Sequence, residues 1–201
     1  MNLFSQTYNH SSQSEYTLRV ATFQDAKIIH EVMVQASRTL ENKNYFICDD
    51  LKYVKKLLNQ EGFGIVACDT SGNVVGNLLL KYPGLTDENL GYDIFPDYFS
   101  SLTQQEILPV HDFFQKELQK VVHMDSASVL PAHRGHHLES RMIAFAENLI
   151  DTSKYIYAFA TVAPSNTASL KSLERNGYRT MITKEKYGGV MRCIMMKKLD
   201  A

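Results

Sequence analysis

The sequence contains no tryptophan, five prolines and three cysteines, Cys48, Cys68 and Cys193, which form no CxxC-type pair. An odd, scattered cysteine set excludes a disulfide framework or a structural zinc centre and fits reduced thiols in a cytoplasmic protein. No apolar run approaches the ~18 residues of a spanning helix, so no membrane partner is expected. Charge of one sign is equally lacking, with 21 Lys and Arg against 22 Asp and Glu and a formal net charge of -1. Without a basic field, nucleic acid is not an expected partner. One segment lacks cations altogether. From Tyr82 to Gln115 there is neither Lys nor Arg, while Asp87, Glu88, Asp93, Asp97, Glu106 and Asp112 alternate with aromatic residues such as Tyr92, Phe95, Tyr98 and Phe99.

What is present reads as one domain. Residues 1–15 form a flexible polar leader rich in Ser, Gln and Asn, without the basic and apolar regions of a signal peptide. Residues 16–201 carry alternating helix and strand patterns. A first strand at 16–21 precedes Thr22, with Asp25 three residues on as an acidic first turn. Ile29, Val32, Met33, Ala36 and Leu40 then recur at helical spacing. A more charged helix follows at 51–59. Two apolar runs, 64–68 and 74–81, flank Asp69-Thr70-Ser71-Gly72-Asn73, a hairpin with Gly and Asn at positions of positive φ.

The cation-free stretch at about 82–115 interrupts the pattern as an insertion. Beyond it lie a strand at 123–130, a helix with Leu138, Met142, Ala146 and Leu149 on one face, and a strand at 156–162. A helix at 166–176 closes on Gly177, and strands follow at 178–183 and 190–199. The order specifies an α/β (α+β) fold, a central mixed sheet flanked by helices.

Two segments carry chemical meaning. Val129-x-Pro131-x-x-Arg134-Gly135 sits where a strand yields to a helix. Such a turn aims unpaired amides and the positive end of the helix dipole at one spot, which suits a phosphate or diphosphate. About thirty residues on, Asn166 through Asn176-Gly177-Tyr178 gives strand, helix and Gly-aromatic exit in order. Together these segments resemble the GNAT superfamily of acyl-CoA N-acyltransferases, over roughly residues 16–199.

The resemblance implies a GNAT-like fold and acetyl-CoA as cosubstrate, with no metal. Backbone groups of Ser128, Val129 and Leu130 would pair with the pantetheine arm, as a peptide pairs with an open sheet edge. The amides of Arg134, Gly135, His136, His137, Leu138, Glu139 and Ser140 would hold the diphosphate, with Arg134 adding positive charge. Asn166 would touch the cofactor near the thioester, and the Val129 N–H would polarise the thioester carbonyl. The chain departs from the family pattern where His137 and Glu139 replace glycines of the turn and Leu173 replaces a tyrosine that serves as general acid. Glu139 would repel phosphate, and protonated His136 and His137 would offset it.

Acyl transfer to an ammonium requires a base. Asp125 is the first choice and His123 the second, because residues two apart share one strand face. Tyr187, in the last hairpin, is the candidate acid. His133, His136 and His137 have i, i+3, i+4 spacing, but Gly135 argues against a helical metal face there. Acidic and aromatic residues in the insertion suit a cationic acceptor. The expectation is therefore an N-acetyltransferase acting on a small cationic amine or a peptide amine by direct attack in a ternary complex. The alternative is a CoA-binding or regulatory module without catalysis. A homodimer is left open.

Overall fold

The computed structural model describes residues 15–82, 119–186 and 189–199. Almost all of the acidic insertion and the leader, together with Tyr187, lie outside the described residues. Seven strands among these residues form one sheet, β1 (Thr17–Val20), β2 (Gly62–Cys68), β3 (Val74–Lys81), β4 (Val121–Val129), β5 (Tyr157–Val162), β6 (Arg179–Lys186) and β7 (Val190–Lys198). Their spatial order is β1-β2-β3-β4-β5-β7-β6. Only β4 and β5 run parallel, and every other neighbouring pair is antiparallel. The mixed sheet expected from the sequence is the one found.

Four helices among the described residues cover the sheet: α1 (Ala26–Arg38), α2 (Leu51–Lys56), α3 (Leu138–Glu147) and α4 (Thr167–Arg175). The apolar stripe of α1 (Ala26, Ile29 and Met33) packs with Val54 and Leu57 on Val66, Cys68 and Leu79. On the opposite face Leu138, Met142, Ile143 and Ala146 of α3 meet Ile65, Ala67, Leu78 and Leu80. The central strands β2 and β3 are therefore buried on both sides and read as near-continuous apolar runs. Two apolar residues assigned to helix faces fall outside them. Leu40 lies beyond the end of α1, and Leu149 is 47% exposed because α3 ends at Glu147; Ile143 completes the α3 stripe instead.

The helix at 51–59 also differs, since α2 gives way after Lys56 to a π-helical turn, Leu57–Glu61. In the β2–β3 hairpin, Gly72 takes positive φ, but Asn73 does not. Asn73 instead donates both its backbone and side-chain N–H groups to the Asp69 carboxylate, at 2.8 and 3.0 Å. After α4, Gly177 adopts φ 85 and Tyr178 is buried, as a C′ glycine followed by a core aromatic requires.

The start of α1 is held by charge. Asp25 accepts from the Thr22 amide at 2.7 Å and from both Arg19 guanidinium nitrogens at 2.8 Å. The Arg19 hydrogen bonds hold its carboxyl well below the usual range. A depressed carboxyl stabilises the fold fully above its unfolded pKa of roughly 4 and loses that contribution as pH falls through the folded value. Arg19 is 45% exposed, so screening reduces the ion-pair part. Asp25→Ala should therefore cost about 1–2 kcal/mol at pH 7. Thermal unfolding of the two proteins should converge as pH drops from about 5 towards 2. A Tm gap that ignores pH would remove the ionised carboxylate from this account.

Candidate functional site

Strand β4 determines the site. Its register with β3 pairs Leu79 with Ser126 and Leu80 with Met124, leaving Asp125 as an extra residue, a β-bulge. Lys81 and Leu79 share one sheet face and lie opposite His123 and Ser126. Asp125, two residues after His123, projects to that face as well, towards α2, where Tyr53 donates its hydroxyl to Asp125 Oδ1 at 2.8 Å, and the bulge brings Ser126 to the same side. A bulge bends its strand. β4 and β5 pair only at Val121, Val122 and His123, then part, although β4 continues to Val129 and β5 to Val162. The result is an open wedge in the middle of the sheet.

Pairing phase decides which backbone groups enter the wedge. The Leu130 N–H donates to Val75 O at 2.9 Å, so Leu130 and, two residues back, Ser128 direct their backbone groups to β3. The intervening Ala127 and Val129 point theirs into the opening. Of the three consecutive residues expected there, only Val129 presents its backbone to the wedge. Ser128 instead buries its hydroxyl at 2.5 Å from Asn77 Oδ1.

A cleft of about 880 Å³ occupies the wedge and extends from α2 to α4. At its inner end His123 Nδ1 lies 3.6 Å from Asp125 Oδ1, and their side chains are 14% and 11% exposed. Asp125 Oδ2 and His123 Nε2 are buried with no hydrogen-bond partner among the described residues. Burial raises the Asp125 carboxyl, against the lowering effects of the Tyr53 hydrogen bond and of Lys81. Burial, aided by Lys81, pushes the His123 imidazole down to about 3, so it is neutral. Asp49, on the segment before α2, is pushed up to about 6 by burial and then by Asp125. Glu41, Tyr45 and Phe46 also line the cleft. Tyr45 spans to the β5–α4 turn, donating to Ser165 O at 3.1 Å.

The other end of the cleft is the β4–α3 turn. A 3₁₀ turn, Pro131–His133, is followed by Gly135 at φ 86 and His137 at φ 56. Gly135 takes its conformation without cost, whereas His137 is the only non-glycine residue among those described with positive φ. This is one of the two positions where glycine was expected, and the left-handed backbone explains why. The first-turn amides of α3 have no partner four residues earlier and face outward. The Arg134 amide is already bonded to Pro131 O at 3.3 Å, so the available amides begin at Gly135.

Side chains at this turn depart from the sequence-based expectation. Arg134 reaches away from the turn, donating to Val129 O at 3.3 Å, Ala36 O at 3.3 Å and Thr39 Oγ1 at 3.0 Å, where it caps the C-terminus of α1. Glu139 turns to α4, accepting from Ser169 Oγ at 2.5 Å, and burial raises its carboxyl. The three histidines with metal-like spacing diverge. His133 meets the Tyr16 hydroxyl at 3.1 Å, His136 lies 3.6 Å from Glu15, and His137 Nδ1 accepts from Arg175 at 2.7 Å. Leu138 is core, and Ser140 accepts from Asn176. Asn166 caps α4 through Ser169 N at 3.3 Å and lines the cleft. Leu173, at the position of the expected tyrosine, is 2% exposed and belongs to the core.

Tyr53, Asp49 and Arg175 were not foreseen as site residues. Tyr53 lies 72 positions from its partner Asp125, and only sheet and helix packing join them. Among the described residues no group of three or more His, Cys, Asp or Glu could hold a metal ion, and no helix is long and apolar enough to cross a membrane.

No protein-family model and no curated protein matches this sequence. Solved structures do match. A GNAT-superfamily phosphinothricin acetyltransferase from Sinorhizobium meliloti, in complex with acetyl-CoA, is 13% identical with a TM-score of 0.63, covering 92% of this chain and 89% of its own. An alanine N-acetyltransferase of a ribosomal protein from Escherichia coli is 9% identical with a TM-score of 0.62, covering 92% and 95%. An aminoglycoside acetyltransferase in complex with coenzyme A and kanamycin is 17% identical with a TM-score of 0.58, covering 91% and 94%. The chain therefore has the fold of the GNAT acetyltransferases.

Left-handed φ in a side-chain-bearing residue costs roughly 1 kcal/mol. His137→Gly should raise stability by up to about 1 kcal/mol in urea unfolding, despite the extra unfolded-state entropy of glycine. A loss of stability would show that the His137–Arg175 contact outweighs the backbone strain.

Proposed function

We propose that this protein is an N-acetyltransferase that moves an acetyl group from acetyl-CoA to a primary amine by direct attack in a ternary complex. The observation that carries this reading is the juxtaposition of three features in one cleft: the parted strands β4 and β5, the amide-rich start of α3, and a partnered carboxylate at the β4 bulge. The residues present fit the cosubstrate. Amides from Gly135 to Ser140 suit its diphosphate, and the inward backbone of Val129 suits the pantetheine arm and the thioester carbonyl. The glycine expected at residue 139 is unnecessary, because the Glu139 carboxylate is held by Ser169 away from an incoming anion.

Asp125 is the proposed base. Its free Oδ2 can take a proton from the acceptor ammonium, directly or through a water, while Tyr53 keeps Oδ1 in place. A carboxyl raised by burial is a stronger base than one in water, and Lys81 and Tyr53 favour its ionised form. Neutral His123 stands beside it as a proton-transfer partner. Tyr187 remains the proposed acid for the departing thiolate. Glu41, Asp49 and Asp125, interleaved with Tyr45, Phe46 and Tyr53, favour a small cationic amine or a peptide amine, the role first assigned to the insertion.

Thiol release from acetyl-CoA, measured with a panel of amines, tests the activity. A thermal shift with acetyl-CoA and no thiol release with any amine would replace the transferase by a CoA-binding module. Asp125→Asn should lower kcat/KM by about 10²–10⁴-fold and abolish the acid limb of its pH profile. Tyr53→Phe removes a bond to the carboxylate form, which raises the Asp125 pKa, so the acid limb should move to higher pH. An Asp125→Asn profile of unchanged shape and height would eliminate this carboxylate as the base.

A further inference from the structure

The positive charge that a diphosphate requires is missing where the sequence motif places it. Arg134 is committed to the C-terminal carbonyl of α1 and to Val129 O, with its guanidinium drawn towards Thr39. Two other cations line the same cleft from α4. Arg175 lies in the last turn of that helix and donates through Nη1 to His137 Nδ1 at 2.7 Å, which places it directly at the turn that opens α3. Lys171 stands four residues earlier, on the same side of the helix one turn back, and also lines the cleft.

Among the described residues no carboxylate forms an ion pair with either cation. The nearest acidic side chain of the turn, Glu139, is occupied by Ser169 Oγ at 2.5 Å, and its raised pKa reduces any opposing charge. An arginine always carries its charge, so His137 Nδ1 must be the acceptor in their contact. That contact holds one guanidinium nitrogen at the turn and leaves the remaining N–H groups of the fork for an anion.

Resting on the acetyl-CoA reading above, we infer that Arg175, seconded by Lys171, is the cationic contact for a phosphate group of the cosubstrate. It takes the place that Arg134 leaves vacant. Arg134 acts in the fold instead, tying the end of α1 to β4. The two arginines therefore separate experimentally, one affecting cosubstrate affinity and the other stability.

Calorimetric titration of CoA and of 3′-dephospho-CoA into wild type, Arg175→Gln, Arg175→Lys and Arg134→Gln tests this. Arg175→Gln should weaken CoA binding about tenfold and flatten its salt dependence, with Tm unchanged. Arg175→Lys should recover part of the affinity. Arg134→Gln should instead lower Tm and leave CoA affinity within about twofold. If the Arg175→Gln deficit persists with 3′-dephospho-CoA, the contact is to the diphosphate; if it vanishes, the contact is to the 3′-phosphate. Wild-type affinity and salt slope in Arg175→Gln would overturn the inference while leaving the transferase reading intact. A wild-type protein that binds no CoA would overturn both.

Discussion

One extra residue in one strand organises the cleft. Without the bulge, strict alternation from His123 would keep Asp125 on the α1–α2 side but turn Ser126 to the α3 side and shift every later pairing of β4 by one residue. With it, Asp125 and Ser126 fall in succession on the α1–α2 side, and β4 bends away from β5. A sheet that stays closed has no free edge at its centre. A sheet that opens after three paired residues leaves the Val129 backbone facing the cleft while β2 and β3 stay buried on both faces. The opening is tolerated because neighbouring pairings are complete: β3 satisfies one side of β4 and β7 satisfies one side of β5.

The electrostatics of the cleft follow from its two ends. At the bulge, carboxylates crowd into a desolvated space, and their mutual repulsion raises Asp49 beyond what burial alone achieves. At the α3 turn, the helix start and α4 supply positive potential. A substrate pair with an anionic tail and a cationic head would be oriented by this gradient before any specific contact forms. Acceptor selection is a separate matter. Solved proteins of the same fold include enzymes for phosphinothricin, an aminoglycoside and a ribosomal-protein alanine, so the scaffold alone does not decide it.

Much of the architecture was legible because local rules and tertiary structure agree. The apolar period of α1, the Thr22–Asp25 helix start and the Gly177–Tyr178 exit each met their expected roles. Disagreements arose where a long-range partner outweighed a local preference. Arg134 looked like a phosphate residue from its motif, yet the C-terminus of α1 lies within reach and takes the guanidinium. Glu139 looked repulsive in a line of text, but a serine on another helix holds its carboxylate. Three histidines at metal spacing diverge because Gly135 breaks the helix that would have aligned them.

By itself the sequence determined the order of strands and helices, the mixed sheet, and the strand-turn-helix segment that opens α3. Those features depend on periodicity and on residues with restricted or unusual φ, which act within a few positions of one another. Tertiary structure alone decided that Tyr53 completes Asp125, that Asp49 joins it, and that Arg175 rather than Arg134 reaches the turn. These partners lie 38 to 76 positions apart, as residue numbers give for Arg175 with His137, Tyr53 with Asp125, and Asp49 with Asp125. No local propensity acts over such separations; only the packing of helices on a bent, parted sheet brings the groups together.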